Sequence, residues 1–264
     1  MPGKIFGPNP DSPLPYTGPN IFSITAEESI LLSLYIANKN YSSWSLRPWV
    51  LMQVLDIPFN EALVPLQAGS CWDTYRSFSP NGLVPCLHDG ERVIWESLAI
   101  VEYLAEKHQD VWPQDSDARA WARCAAAEMH AGFSTLRNEC AMNCGVRVQM
   151  DSISAGLQDN LTRLDELWNE GLKRFGGPFL AGDSFCAVDA FFAPVAFRVQ
   201  TFNLPISKTA WAYAQRLLDL DAMRRWYEEA LVEPWREANH EEEVLGTGVV
   251  LKDFRVSVGN QVQT

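Results

Sequence analysis

The sequence has no apolar stretch of about 18 residues, the length that a membrane-spanning helix needs. Its first residues are rich in Pro, Gly and Asn and contain no apolar segment typical of a secretory signal. Basic residues are also scarce, with 21 Lys and Arg against 33 Asp and Glu, for a formal net charge of −12. This balance disfavours nucleic acid and acidic membrane surfaces as partners. We therefore expect a cytoplasmic protein without either partner.

Short cysteine motifs are missing as well. None of the six cysteines forms a C-x-x-C pair, which argues against a disulfide reductase. Cys140 and Cys144 are separated by three residues, and neither a second pair nor a nearby histidine completes a metal site. No G-x-S-x-G elbow is present, which argues against a serine hydrolase. We predict reduced, mostly buried thiols and no bound metal.

The patterns that are present divide the chain into two units flanked by extensions. Residues 30–109 follow the order strand, helix, strand, helix, hairpin, helix, which predicts a layered α/β unit. Residues 117–240 carry helical periodicity with little strand signal, including one long amphipathic helix over 118–137. This region is predicted to be all-helical. Residues 1–29 form an N-terminal extension and residues 241–264 a Gly- and Val-rich tail.

Serines cluster where the first strand passes into the first helix, in the segment "NYSSWSLRPW". Hydrogen bonding and the positive helix end both favour a thiolate beside Ser42, Ser43 and Ser45. Lowering the pKa of a thiol from about 8.5 to about 6.5 would ionise most of it at neutral pH. The alternative is that one serine caps the helix and the others are solvated.

A second polar pair stands at a strand-to-helix junction in "ESLAI". Ser97 is a suitable N-cap, and the free N–H groups of a first helical turn attract a carboxylate. Glu96 precedes it and is able to accept an ammonium group. Together the two residues are suited to an α-amino-acid head, although a plain helix cap with a neighbouring acid is the simpler interpretation.

In this order and spacing, "SSWSLRPW", "NGLVPCL" and "ESLAIVEYL" resemble the glutathione transferase family, in particular its serine-type members near the zeta class. "AEMHAGFSTLRNECAMN" and "DAFFAPVAFRVQTF" resemble a bacterial-type branch of that family. The resemblance covers roughly residues 30–238. It implies a thioredoxin-like N-terminal domain, an all-helical C-terminal domain, glutathione as co-substrate and a homodimer.

The resemblance also implies roles for individual residues. Ser42 matches the serine whose hydroxyl holds the glutathione thiolate, with Ser43 as the nearest rival. Val84, before a cis Pro85, would pair through its backbone with the cysteinyl part of glutathione. Glu96 and Ser97 would hold the γ-glutamyl end.

Two positions depart from the family pattern. Trp44 stands where zeta members with isomerase activity commonly have cysteine, which weakens a maleylacetoacetate isomerase assignment. Cys186 stands where a Ser or Thr usually completes a capping box with an Asp, here Asp189, and a thiol is the weaker acceptor.

The second-substrate pocket is predicted from a helix face and from Trp44. Met129, Phe133 and Arg137 recur at four-residue spacing, so they would share one face of a continuous helix. Met129 and Phe133, with Trp44, are the candidate pocket residues, although most such faces belong to a core.

The leading functional hypothesis is a detoxifying transferase that directs the glutathione thiolate at a hydrophobic electrophilic small molecule. Two alternatives remain open. The same site would serve a glutathione-dependent isomerase or lyase of a metabolic or biosynthetic pathway, or a non-catalytic protein that binds glutathione or other ligands.

Overall fold

The computed structural model describes residues 32–66 and 70–256, so the predicted extension at residues 1–29 lies outside the described residues. The first half of the chain forms a four-stranded sheet with strand order β2-β1-β3-β4, in which β1 and β2 are parallel and the other pairs antiparallel. Its elements are β1 (Leu32–Ile36), α1 (Ser43–Val54), β2 (Phe59–Leu63), α2 (Trp72–Arg76), β3 (Cys86–Asp89), β4 (Arg92–Trp95) and α3 (Ser97–Ala105). The predicted thioredoxin-like domain is confirmed.

Local chemistry explains these elements. Strand β1 has Leu34 and Ile36 fully buried on one face, whereas Ser33 and Tyr35 on the other face are half-buried. The β3–β4 hairpin turns at Gly90, whose φ of 59° is readily adopted only by a residue without a Cβ. The hairpin predicted for this unit is therefore present, with its turn after Asp89.

The second half is mainly helical, as predicted. Its elements are a short 3-10 turn (Gln109–Val111), α4 (Ser116–Ala131), α5 (Ser134–Glu139), β5 (Val146–Met150), α6 (Ala155–Phe175), α7 (Ala187–Phe202), α8 (Lys208–Leu218), α9 (Asp221–Val232), α10 (Ala238–Leu245) and β6 (Gly248–Asp253). Helix α7 is buried on nearly all sides and packs against α1, α4 and α8. It is the centre of the core and joins the two domains.

Two features of this half differ from the sequence prediction. The helix expected over 118–137 is broken, because Gly132 ends α4 and Phe133 takes a left-handed φ of 53°. The predicted all-helical region also contains β5, which pairs antiparallel with β6 to form a two-stranded sheet. The tail is therefore not separate from the helical domain, since residues 248–253 form the partner of β5.

The start of α7 depends on a buried carboxylate. Asp189 is fully buried and accepts the Cys186 N–H at 3.0 Å, the Leu180 N–H at 3.1 Å and the Tyr213 hydroxyl at 2.8 Å. Burial raises the pKa of Asp189 to about 6, while these donors oppose the rise. The carboxylate half of the predicted capping box is thus present even though a cysteine stands at the cap.

Among the helices of residues 32–66 and 70–256, none combines the length and apolarity that a membrane span requires.

Candidate active site

The predicted thiolate-binding serines lie at the start of α1. Ser42 is the N-cap residue and Ser43 is the first helical residue. Both line a cavity of about 450 Å³. The Ser42 hydroxyl lies 2.7 Å from the hydroxyl of Ser45, which is fully buried and accepts the Ala37 N–H at 3.2 Å. The serines therefore have distinct places, with Ser42 half-buried at the cavity and Ser45 in the layer behind it.

The loop before Ser42 is held by the helical domain. The Glu233 carboxylate accepts the N–H groups of Lys39 at 2.6 Å and Asn40 at 3.3 Å. The Trp226 indole donates to the Lys39 carbonyl at 2.8 Å. Glu233 is only 5% exposed, and burial raises its pKa to about 6. The position of Ser42 therefore depends on side chains of α9 and of the segment after it, nearly 200 residues along the chain.

The C-terminal segment adds a second support at Tyr41. The Tyr41 hydroxyl donates to Glu241 at 2.6 Å, and Arg255 donates to both oxygens of the same carboxylate at 2.5 and 2.9 Å. The His240 ring lies 5.1 Å from the Tyr41 ring. His240 and Glu243 also line the cavity at Ser42. The segment that the sequence analysis left unassigned is therefore one wall of the site.

A second cavity of about 330 Å³ adjoins the first. The two share Trp44, Leu83 and Val84 as lining residues, and Pro85 and Glu96 line the second cavity alone. The Val84–Pro85 peptide bond is cis. Five predicted site residues therefore line this pair of adjoining cavities: Ser42, Ser43, Val84, Pro85 and Glu96. They lie up to 54 positions apart in the sequence.

The N-terminus of α3 differs in one detail from the prediction. Glu96, not Ser97, is the N-cap residue, because its φ of 71° places the start of the helix at the next position. The Ser97 hydroxyl is buried and has no hydrogen-bond partner within residues 32–66 and 70–256. A buried hydroxyl without a partner is costly, so this atom is suited to a ligand that supplies one.

Trp44 lies between the cavities and contacts several charged groups. The Arg47 guanidinium lies 4.1 Å and the Arg137 guanidinium 5.3 Å from the centre of the indole ring. His130 meets the same ring edge-on at 5.4 Å, and its Nε2 lies 4.0 Å from a Glu96 oxygen. Burial, followed by the nearby Arg47 charge, lowers the pKa of His130. The lowered pKa favours the neutral imidazole.

The other predicted pocket residues are placed differently. Met129 is 1% and Phe133 6% exposed, and the described lining of the two cavities contains neither of them. Arg137, which shares their spacing in the sequence, does line the larger cavity. The break at Gly132 is the reason, because a single continuous helix face no longer exists.

The sequence analysis named Arg137 through its spacing with Met129 and Phe133, but it did not identify Arg198, His240 and Glu243, which also line the larger cavity. The sequence carried a signal for Arg198. Burying a single arginine within the apolar segment "FFAPVAFRV" costs free energy unless a partner compensates its charge. No group of three or more His, Cys, Asp or Glu able to hold a metal is found among the residues described.

Comparison with known proteins agrees with this architecture. Residues 41–107 match the family model described as glutathione S-transferase, N-terminal domain. A probable maleylacetoacetate isomerase of Caenorhabditis elegans is 27% identical over 185 residues, covering 66% of this chain and 81% of that protein. A zeta-class glutathione S-transferase of Euphorbia esula is 27% identical over 172 residues, covering 63% and 76%. GstB of Escherichia coli K12 is 25% identical over 203 residues, covering 69% and 86%.

Solved structures show the same fold. A glutathione transferase homolog from Burkholderia GL BGR1, with bound glutathione, superposes with a TM-score of 0.57 at 20% identity, covering 75% of this chain and 97% of that one. The theta-class enzyme of Xanthomonas axonopodis pv. citri, with glutathione bound, gives a TM-score of 0.52 at 25% identity, covering 74% and 96%. The thioredoxin-like domain, the helical domain and the shared cleft define a protein of the glutathione transferase fold. Residues 41–107 thus match a glutathione S-transferase N-terminal domain, and the chain is similar to members of that family over about two thirds of its length.

Proposed function

We propose that the protein is a glutathione transferase in which the Ser42 hydroxyl stabilises the glutathione thiolate and directs it at a hydrophobic electrophilic small molecule. The observation that carries this proposal is the position of Ser42. It caps α1 at a cavity that continues into the one lined by Val84, Pro85 and Glu96. A thiol at this point meets both a hydroxyl donor and the positive end of a helix.

The residues present fit glutathione along the two cavities. Its γ-glutamyl carboxylate would supply the missing partner of the Ser97 hydroxyl at the N-terminus of α3, and its ammonium group would pair with Glu96. Val84 lies between these groups and Ser42 and lines both cavities, so its backbone is placed to pair with the cysteinyl residue. The thiol would then reach Ser42.

The chemical step would need no covalent enzyme intermediate. The thiol proton passes to solvent, and Ser42 donates a hydrogen bond to the resulting thiolate. The sulfur lone pair forms a C–S bond with the electrophilic carbon, while the leaving group departs with the electrons of its own bond. The rate enhancement comes from the larger thiolate fraction and from holding both reactants in place.

Ser42 is favoured over Ser43 as the thiolate partner. Ser43 is 8% exposed and is already inside the helix, whereas Ser42 is half-buried at the cap. The hydroxyl of Ser42 is also backed by Ser45, which gives it a fixed neighbour. Substitution of each serine by alanine in turn separates the two assignments.

The remaining expectations stay part of this proposal. Residues 30–109 would form the glutathione-binding domain and residues 117–240 the second-substrate domain. We also propose a cytoplasmic homodimer with a role in detoxification, which size-exclusion chromatography with light scattering would test for the oligomeric state.

A glutathione-dependent isomerase or lyase is the second candidate, favoured by the similarity to the probable maleylacetoacetate isomerase. It would use the same thiolate but return glutathione unchanged. Against it stands Trp44 at the position of the zeta cysteine. The third candidate is a non-catalytic binding protein.

One experiment separates these candidates. Glutathione binding is measured by calorimetry, and turnover is measured with a panel of electrophiles while both free thiol and conjugate are quantified. Conjugate formation with loss of free thiol supports the transferase. Product formation without thiol loss supports the isomerase or lyase, and binding without product supports the binder.

A further inference from the structure

We propose that the electrophile carries a carboxylate group, held in the larger cavity by Arg137 and Arg198 beside Ser42. This inference rests on the proposed function for its reaction, and it replaces a wholly hydrophobic substrate by one with an apolar body and an anionic end. Three arginines lie at or behind an apolar lining here, and the described acids nearby, Glu96 and Glu243, are exposed.

Positive charge is concentrated beneath the cavity. Arg137 and Arg198 line it, and Arg198 is 5% exposed. Arg47 lies behind Trp44 and is 1% exposed. Within the part of the chain that the structure describes, Arg47 Nε and Nη1 and Arg198 Nε are buried without a hydrogen-bond partner. A buried and unsatisfied guanidinium donor is costly, and Arg198 lines the cavity, so its Nε indicates an acceptor that arrives from outside the chain. Arg47 lines neither cavity and contributes positive charge from behind Trp44.

The three guanidinium groups also repel one another. Arg47 and Arg137 both lie against the Trp44 ring, at 4.1 and 5.3 Å from its centre. Burial, then repulsion from Arg137 and Arg198, lowers the pKa of Arg47 to about 9. Burial likewise lowers the pKa of Arg198 to about 10, although two cysteines and Glu243 oppose the change. A bound anion would relieve both the desolvation and the repulsion.

The nearby carboxylates do not neutralise the positive charge of Arg137 and Arg198. Glu243 lines the same cavity but is solvent-exposed, so water and salt weaken its attraction for Arg198. The Glu96 side chain is 50% exposed and lines the other cavity, where the proposed function assigns it to the ammonium group of glutathione. His240 at the wall lies against Tyr41 and donates from Nδ1 to the Glu237 carboxylate at 2.6 Å. The net charge around Arg137 and Arg198 in the cavity is therefore positive.

The shape and the rest of the lining favour a carboxylate on a small apolar body. Trp44, Leu83, Ala141 and Met142 supply apolar surface around the arginines. The planar guanidinium of Arg137 already donates to the His130 carbonyl at 3.0 Å, which fixes its orientation. A guanidinium held in this way recognises the two oxygens of a carboxylate better than it recognises a neutral amide.

The first test is binding of an unreactive pair, nitrobenzoate and nitrobenzamide, to the glutathione-loaded protein by calorimetry. The two probes match in size and differ in charge. We expect nitrobenzoate to bind the wild type at least about tenfold more tightly, and Arg137→Gln to reduce this preference about tenfold. Arg174→Gln is the matched control, because it removes the same charge from an exposed arginine paired with Glu170. Equal binding of the two probes to the wild type would overturn the inference.

The second test uses a reactive pair, a chloronitrobenzoate and the corresponding chloronitrobenzamide. We expect the ratio of their kcat/KM values to favour the carboxylate in the wild type and to fall about tenfold in Arg137→Gln, with the KM for glutathione unchanged. If Arg137 instead stabilises the thiolate, the substitution lowers kcat/KM equally for both substrates. If it holds glutathione, the KM for glutathione rises and the ratio stays constant. Either of these two results contradicts the inference.

The two proposals fail in different ways. Preferential binding of nitrobenzoate without turnover of either reactive probe would support the anion site and contradict the proposed transferase activity. Turnover of both reactive probes at equal rates in the wild type would support the transferase activity and contradict the anion site. The wild-type comparisons decide each case even if Arg137→Gln does not fold.

Discussion

The hydroxyl oxygens of Ser42 and Ser45 lie 2.7 Å apart at the N-terminus of α1. Ser45 is fully buried and accepts the Ala37 N–H, so its own proton remains available for Ser42. When Ser42 donates to a thiolate, Ser45 is able to donate to Ser42 in turn. A chain of two hydroxyl groups polarises the outer one and makes it a stronger donor.

Replacing the inner hydroxyl should therefore weaken the outer one. We predict that Ser45→Ala raises the apparent pKa in the pH profile of kcat/KM by about half a unit, less than direct removal of the Ser42 hydroxyl. The exposed Ser77 serves as control, since Ser77→Ala removes a hydroxyl that bonds only locally to the Thr74 carbonyl. An unchanged profile in Ser45→Ala would show that the inner serine only packs.

The unpartnered Ser97 hydroxyl gives a prediction with two readouts. Ser97→Ala should raise the Kd for glutathione roughly tenfold, because the variant loses a hydrogen bond to a charged group. The free protein should keep its unfolding free energy or gain up to ~1 kcal/mol, because the hydroxyl has no partner to lose in the described structure. Calorimetry and urea unfolding measure the two effects. A large loss of stability with unchanged affinity would mean that Ser97 is only structural.

The contact between Tyr41 and Glu241 predicts that the C-terminal segment supports catalysis. Tyr41→Phe removes a 2.6 Å hydrogen bond next to Ser42, so we expect a stability loss of about 1–2 kcal/mol together with a lower kcat/KM. Tyr103→Phe is the matched control, because Tyr103 also donates to a carboxylate, that of Asp89, on another part of the first domain. Equal effects of both variants on kcat/KM would contradict a role for the Tyr41 contact.

Glu233 gives a prediction for pH. Burial raises its folded-state pKa to about 6, above the ordinary value of about 4.3. Between these pH values the folded protein binds the proton more tightly, so Glu233 adds stability as the pH falls through 6 and costs stability above it. Relative to Glu233→Gln, the wild type should gain on the order of 2 kcal/mol of unfolding free energy from pH 7.5 to about 4.5. Urea unfolding of both proteins measures this, and a constant difference across the range would contradict it.

Much of the fold was predictable because its signals are local. The order of elements in the first domain follows from apolar runs, the Asp89-Gly90 turn and helical spacing. Helix α7 occupies residues 187–202, the segment that its apolar pattern indicates. Ser42 and Glu96 were predicted from short motifs at the junctions of two elements, and Val84 from the family resemblance; all three line the paired cavities.

The features that the sequence did not reveal depend on distant contacts. Strand β5 pairs with β6, about a hundred positions later, and this pairing has no signal in the local sequence. The break at Phe133 depends on a left-handed residue that is not a glycine, for which the sequence carries little signal. Arg137, Arg198 and Glu243 meet only because three separate segments fold around Ser42. The local spacing of residues in the sequence does not indicate contacts between such distant segments.

Direct titration of the glutathione thiol is the sharpest test of the account. The ultraviolet absorbance of the thiolate is followed against pH in the glutathione complexes of wild type, Ser42→Ala and Ser43→Ala. We predict a bound-thiol pKa well below the ordinary value of about 8.5 in the wild type and in Ser43→Ala, and a value about one to two units higher in Ser42→Ala. A thiol that titrates identically in wild type and Ser42→Ala would contradict the assignment of the thiolate to Ser42.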